Sequence, residues 1–119
     1  MERRAAWPVL TLAAATWLVS SCHSASGPKP LSELTPTEMQ GRQIFVTHCA
    51  GCHLPYSKEK LVGPGLQALF RKPDLPSGAP ATDGWVRSRI IEGRAPMPAF
   101  GNSLDEQQLN QLLAYLHTL

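Results

Sequence analysis

Three side chains with reactive or metal-binding chemistry lie within the five-residue segment Cys49-Ala50-Gly51-Cys52-His53. Each thiol at this spacing can form a thioether with a vinyl group of haem, and the imidazole after the second thiol can bind the iron. Covalent attachment holds the porphyrin beside the chain, so the histidine reaches the metal at little further entropic cost. The spacing therefore predicts that Cys49, Cys52 and His53 hold one c-type haem.

Two other chemistries also use a pair of cysteines at this spacing, namely thiol–disulfide exchange and zinc binding. An exchange motif follows a strand and opens a helix, whereas here a predicted helix leads into the motif. A zinc site needs further ligands, and His48 and His117 do not form a second paired cluster. Both alternatives are less consistent with the sequence than haem attachment.

Length and charge limit the possible function classes. The chain has 119 residues and a formal net charge of +2. It is long enough for one domain, and too short for a barrel of eight strand and helix pairs, which needs about 250 residues. Because it lacks a run of Lys or Arg, it has no dense basic stripe for phosphate contacts. We expect neither a nucleic-acid partner nor a small-molecule substrate.

The N-terminal residues have the composition of an export signal. Arg3 and Arg4 precede an apolar run over residues 5–19, and Cys22 follows two serines. A run of this length is short for a transmembrane helix, which needs about 20 apolar residues, so a secretory signal is favoured over an uncleaved anchor helix. The segment Leu18-Val19-Ser20-Ser21-Cys22 resembles the lipobox of bacterial lipoproteins. That resemblance implies cleavage before Cys22 and attachment of lipid to its thiol.

The chain accordingly divides into three predicted parts: a lipoprotein signal peptide over residues 1–21, a flexible tether over 22–34 and a folded domain over 35–119. The tether is rich in Ser, Gly and Pro and lacks apolar periodicity. Its twelve residues from His23 to Leu34 would span about 40 Å when extended. The predicted location is the envelope, on a membrane surface facing the periplasm or the cell exterior.

The folded part is predicted to be all-α. Thr35-Pro36-Thr37-Glu38 forms a capping box with proline at the first helical position, which starts a helix that ends near Cys49. A second capping box begins at Ser103 and precedes a C-terminal helix. That helix has one apolar stripe at the i, i+3, i+4, i+7 spacing, formed by Leu109, Leu112, Leu113 and Leu116.

A third helix is predicted between these two. Asp83 can cap it, Glu92 is its last residue, and Gly93 can end it in a left-handed turn. Residues 65–70 can add a short helical turn. The segment 72–82 is rich in Pro, Gly and Ser and is predicted to be a loop.

From Thr37 to its end, the chain resembles the class I cytochromes c, which are small all-α folds of three to five helices wrapped around one covalent haem. The residues that carry the resemblance, besides the attachment motif, are Gly41, Phe45, Gly63-Pro64-Gly65-Leu66, Gly93-Arg94-Ala95-Pro96-Met97-Pro98-Ala99-Phe100 and Tyr115. The resemblance implies that Met97 is the sixth iron ligand and that Pro64 accepts a hydrogen bond from His53. It also implies that the C-terminal helix crosses the first helix at Gly41.

Other candidate residues have weaker support. Trp85, Arg89 and Arg94 could hydrogen-bond the haem propionates, although Trp is also common in cores and Arg on surfaces. Met39 is expected to pack and His117 to be a solvated helix residue.

Iron with two protein ligands in the axial positions has no free position for substrate or oxygen. We therefore expect one-electron transfer between redox proteins of the envelope, with no enzymatic activity of the chain alone. Two alternatives stay open. The chain could be the haem subunit of a larger membrane oxidoreductase, or a haem sensor or peroxidase-like protein if Met97 is displaceable.

Overall fold

A computed structural model describes residues 27–119 of the chain. The predicted signal peptide and Cys22 lie outside the described residues. Three α-helices are present in the described part, together with two short 3-10 turns, and no β-strand. The helices are α1 (Pro36–His48), α2 (Asp83–Glu92) and α3 (Glu106–Leu116), and the 3-10 turns are Leu31–Glu33 and Leu69–Arg71. The all-α prediction is confirmed. None of these helices is long and apolar enough to cross a membrane.

Helix α1 begins at the predicted capping box. The Thr35 hydroxyl accepts a hydrogen bond from the Glu38 amide at 3.3 Å, and the Glu38 carboxylate accepts one from the Thr35 amide at 2.7 Å. These reciprocal bonds satisfy two backbone donors that a helix start would otherwise leave unpaired. Pro36 at the first helical position costs the helix no hydrogen bond, because the backbone amide that proline lacks has no acceptor within the helix at this position.

Helices α1 and α3 cross at Gly41, as predicted. A Cβ built on Gly41 would lie 1.9 Å from the carbonyl oxygen of Gln111 and 2.9 Å from the Cβ of Tyr115. One turn further along α1, the rings of Phe45 and Tyr115 have centroids 5.5 Å apart. Only glycine permits this approach, and the crossing buries both aromatic rings.

Helix α3 starts two residues later than predicted. Its N-cap is Asp105, whose carboxylate accepts from the Gln108 amide at 2.7 Å, while the Gln108 side chain accepts from the Asp105 amide at 2.9 Å. The prediction of Ser103 as the cap is therefore wrong. The later start places buried Leu104 just before the cap and buried Leu109 at the fourth helical position, which is the arrangement of a hydrophobic staple.

Helix α2 ends at Glu92 as predicted, but it begins one residue earlier than predicted, so the prediction of Asp83 as its cap is wrong. Thr82, in extended conformation, caps the helix, and its side chain accepts from the amide of Trp85. The Asp83 carboxylate instead accepts from His117 Nε2 at 2.7 Å, and the His117 ring stacks on Phe70 at a centroid distance of 3.9 Å. His117 is thus exposed, but it is not merely a solvated residue. It connects the end of α3 to the start of α2 and to the second 3-10 turn.

The part of the predicted tether that the structure describes lies against the domain. The Lys29 amide donates to the carbonyl oxygen of Thr118 at 2.7 Å, and Lys29 Nζ donates to the Glu38 carboxylate at 2.7 Å. Burial acts to raise the pKa of Glu38, but hydrogen bonds from Lys29 and Thr35 and the Lys29 charge outweigh it and hold the pKa below its ordinary value. Leu34 also packs against the core. We call residues 29–34 the docked segment.

Candidate functional site

The attachment motif begins where α1 ends. Cys49 is the C-cap of α1, and its carbonyl oxygen accepts hydrogen bonds from the amides of Cys52 and His53 at 3.0 and 2.9 Å. The chain therefore turns tightly at this point. Both cysteines are free thiols, with Cys49 half-buried and Cys52 exposed. The turn places the two thiols and the imidazole at one end of the helix.

The environment of Cys49 disfavours thiol–disulfide exchange. Burial, followed by the nearby Cys52 thiol, raises the pKa of Cys49 to about 11. Exchange thiols need the opposite, a lowered pKa that makes the thiolate available at neutral pH. The zinc alternative also gains no support, since the described residues contain no group of three or more His, Cys, Asp or Glu placed to hold a metal ion.

The hydrogen bond expected between His53 and Pro64 is present. His53 Nδ1 lies 2.8 Å from the Pro64 carbonyl oxygen. Because a carbonyl can only accept, Nδ1 carries the proton, and Nε2 keeps the lone pair that a metal needs. A hydrogen bond of this kind fixes the ring and raises its basicity toward a metal.

Met97 lies on a tight loop after α2. Gly93 ends the helix at the predicted position and has a positive φ of 67°, but its ψ of -177° is not that of the predicted left-handed turn. The amides of Arg94 and Met97 then donate to each other's carbonyl oxygens at 3.0 and 2.8 Å. Proline stands on both sides of Met97, so its backbone has little freedom. The loop holds the thioether in a defined, half-buried position against the core.

One cavity of about 380 Å³ brings all five predicted haem-binding residues of the domain together. They are Cys49, Cys52, His53, Pro64 and Met97. Much of the remaining wall is core: Phe45, Leu69, Val86, Ile90, Leu112 and Leu116 all line it and all are buried. Two thiols, an imidazole and a thioether around an apolar hollow are the donor set and surroundings that a covalently bound haem requires. The residues present fit that group.

Basic side chains line the same cavity. Lys60, Lys72, Arg89 and Arg94 border it together with a single acid, Asp74. Arg89 is further held by a contact of its Nη1 with the Gly93 carbonyl oxygen at 3.4 Å. These cations can pair with carboxylates of a bound ligand.

Trp85 is not one of the lining residues and is 52% exposed. The expectation that it could reach a propionate has no support in the structure.

Two cavity residues, Lys72 and Leu75, were not predicted from the sequence. Both belong to the long loop, where composition predicts only irregular chain, and their positions depend on how that loop folds over the helices. His48, directly before the attachment motif, also lines the cavity and packs edge-on against Phe100, with ring centroids 5.7 Å apart.

A small all-α domain whose cavity is lined by paired thiols, an imidazole and a thioether is typical of a haem-containing redox protein. Residues 36–116 match the sequence model of the family described as "Cytochrome C oxidase, cbb3-type, subunit III". The chain is 32% identical over 76 residues to cytochrome c6 of Rippkaea orientalis. The aligned segment covers 64% of this chain and 65% of that relative. The chain is 31% identical over 91 residues to a cytochrome c6-like protein of Nostoc, covering 72% and 78% of the two chains.

A solved structure shows the same fold. The chain superposes on cytochrome c6 of the diatom Phaeodactylum tricornutum with a TM-score of 0.53 and 26% identity, covering 66% of this chain and 88% of that one.

The chain therefore belongs to the cytochrome c family. Membership implies one covalently attached haem c with its iron and electron transfer without enzymatic activity. These family-level predictions are confirmed.

Proposed function

We propose that this protein is a membrane-anchored monohaem electron carrier of the cell envelope, in which His53 and Met97 are the axial ligands of the iron. The observation that carries the proposal is the convergence on one cavity of the paired thiols, His53 with its Pro64 hydrogen bond, and Met97. Bound haem c supplies an iron that gains and loses one electron. Cys49 and Cys52 would form the thioethers that retain it.

The protein groups define how the site works. His53 Nδ1–H stays bonded to the Pro64 carbonyl, which keeps the ring oriented in both oxidation states. Met97 provides a soft thioether, a ligand that raises the potential of haem iron. Because His53 is held by Pro64 and Met97 by the backbone bonds of its own loop, the chain would need to move little when the charge of a bound iron changes. The apolar core residues of the cavity wall exclude water, and the bordering Lys and Arg side chains can neutralise propionates.

The experiment that tests this assignment is a visible spectrum of the purified holoprotein in both oxidation states. We expect a low-spin spectrum with a methionine-to-iron charge-transfer band in the oxidised form, and no change on addition of carbon monoxide to the reduced form. A high-spin spectrum that responds to carbon monoxide would overturn the carrier assignment and favour the sensor.

A second candidate function is that of a haem subunit in a larger membrane oxidoreductase. It is favoured by one observation, the description of the matching family as a subunit of a cbb3-type oxidase. The two candidates share the same haem chemistry and differ in their assembly. Copurification of the chain with other subunits in mild detergent would favour the subunit, and recovery as a single polypeptide would favour the carrier.

Anchoring is proposed to occur through lipid on Cys22, which lies outside the described residues. The docked segment starts at Lys29, whose backbone and side chain both bond to the domain. Only residues 23–28 then separate anchor from domain, and they span about 20 Å when extended. A tether of this length keeps the domain near the membrane, where confinement raises its effective concentration toward membrane partners.

We expect Cys22→Ser to yield a soluble or misprocessed cytochrome with an unchanged haem spectrum and slower electron delivery to membrane partners. The reason is that dual acylation anchors a protein stably and its loss frees the domain. Stopped-flow oxidation by membrane vesicles measures the delivery rate. Deletion of residues 24–26 is the companion variant, because it keeps the anchor but shortens the free chain. Wild-type delivery by that variant would show that tether length does not matter.

A further inference from the structure

Gly63 lies against the face of the His53 imidazole. A Cβ built on Gly63 would be 2.4 Å from Cε1, 2.8 Å from Nδ1 and 2.9 Å from Nε2 of that ring. All three distances are shorter than carbon contacts in proteins permit. The ring therefore occupies the space that any side chain at position 63 would need. Gly63 has no positive φ, so the requirement for glycine here is steric and not conformational.

The backbone around Gly63 is held firmly beside the attachment motif. Its amide donates to the Cys52 carbonyl oxygen at 2.8 Å, and the Leu66 amide donates to the Leu54 carbonyl oxygen at 2.9 Å. Between these two bonds, the Pro64 carbonyl accepts from His53 Nδ1. The segment cannot easily retreat from the ring, because three hydrogen bonds fix it on both sides of the contact.

We propose that Gly63 is a positioning residue that sets the plane of the His53 ring. The hydrogen bond to Pro64 fixes the direction of Nδ1 but restrains rotation of the ring about that bond only weakly. The backbone at Gly63 lies against one face of the ring and blocks rotation toward that side. The inference rests on the proposed role of His53 as an axial ligand, since the ring plane matters most where Nε2 binds iron.

The consequence is electronic as well as structural. The orientation of an axial imidazole about its bond to iron determines which iron d orbital it overlaps, and so the magnetic anisotropy of the oxidised haem. The hydrogen bond at Nδ1 also makes the ring a stronger donor and stabilises the oxidised state. A side chain at position 63 would rotate the ring, stretch the Pro64 bond and raise the potential.

The test is Gly63→Ala in the full-length holoprotein. We expect haem to stay attached and low-spin, because Cys49, Cys52 and Met97 are unchanged. The electron paramagnetic resonance g values should shift, and the midpoint potential should rise. The His53 Nδ1–H proton should exchange with solvent about tenfold faster in the reduced protein, since one hydrogen bond is weakened.

Two glycine variants are matched controls. Gly84→Ala lies on α2 away from the cavity, and its Cβ would meet nothing within 4 Å, so we expect wild-type g values and potential. Gly101→Ala would place a Cβ 2.9 Å from Ile91 Cγ2, which costs stability without touching His53. If Gly63→Ala loses stability as Gly101→Ala does but keeps the wild-type g values and proton exchange, the positioning role is overturned.

A measurement on the wild type covers the case in which Gly63→Ala does not fold. Nuclear Overhauser effects between the Gly63 α protons and the His53 Cε1 proton should appear in the reduced protein, and their absence would overturn the contact.

His53→Ala separates this inference from the proposed function. If that variant keeps the wild-type low-spin spectrum, the ligand assignment fails. If it loses the spectrum while Gly63→Ala has wild-type g values, only the positioning role fails.

Discussion

Serine in place of Cys49 or Cys52 is expected to leave a protein that retains little haem and, wherever haem is lost, is largely unfolded. Each substitution removes one thioether, so the remaining attachment is weaker. The haem cavity is also a large part of the core. Six of the eleven hydrophobic residues that are buried within residues 27–119 line it, and without the cofactor these six side chains lose neighbours on one side.

The expected size of the effect follows from that count. Burial of one large apolar side chain contributes about 1.5–3 kcal/mol, whereas a whole small domain is stable by about 5–15 kcal/mol. Partial exposure of six such side chains can therefore remove most of the stability. A chain of this size also buries only about 60 to 68% of its unfolded surface, so it has little reserve.

Two measurements check this prediction. Haem staining of a denaturing gel reports covalent attachment in each serine variant, and far-ultraviolet circular dichroism reports the helix content of the haem-free protein. Gly84→Ala is the control, because its Cβ would meet nothing within 4 Å and it does not line the cavity, so it should retain haem. A haem-free wild type with cooperative unfolding and full helix content would contradict the prediction.

The helices were predictable where local signals agree. At α1, the capping box, the proline and the following glycine all point to one start and one crossing, and the structure has both. At α3, two capping boxes overlap by two residues, one starting at Ser103 and one at Asp105. The choice between them depends on burial of Leu104 in the core, which is a tertiary property that the local pattern does not contain.

The docked segment is a second feature that depends on tertiary contacts and not on a local sequence pattern. Residues 29–34 have linker composition and no apolar periodicity. Their attachment depends on the Thr118 carbonyl and the Glu38 carboxylate. The Thr118 carbonyl is distant in sequence, and Lys29 can bond to both groups only when the start of α1 and the end of the chain lie close together. Composition predicts that a segment has no helix or strand of its own, but it does not predict whether the segment binds to the domain.

The candidate site was also only partly predictable from the sequence. The motif predicts the thiols and the histidine because all three are neighbours in sequence, and the resemblance supplied Pro64 and Met97. The contact of Gly63 with the His53 ring could not be predicted, since a glycine before a proline is also an ordinary turn signal. The position of Lys72 in the cavity wall could not be predicted either, because it depends on how the long loop folds.

Met97→Ala is expected to keep haem attached through the two thioethers and His53, to open the sixth coordination position and to lower the midpoint potential. The loop should survive, because the bonds between residues 94 and 97 involve only backbone atoms and both flanking prolines stay. Loss of the thioether removes a ligand that favours ferrous iron. We expect a drop on the order of 100 mV, within the roughly 0.8 V that axial ligands span.

Redox titration measures the change in potential, and binding of carbon monoxide to the reduced variant reports the open position. Each 59 mV lost corresponds to about 1.4 kcal/mol for one electron. Met39→Ala is the matched control, because Met39 is 41% exposed on α1 and does not line the cavity, and so both properties should be unchanged. A wild-type spectrum for Met97→Ala would remove Met97 from the iron. His48 would then be the leading candidate, since it lines the cavity while His117 is held by Asp83.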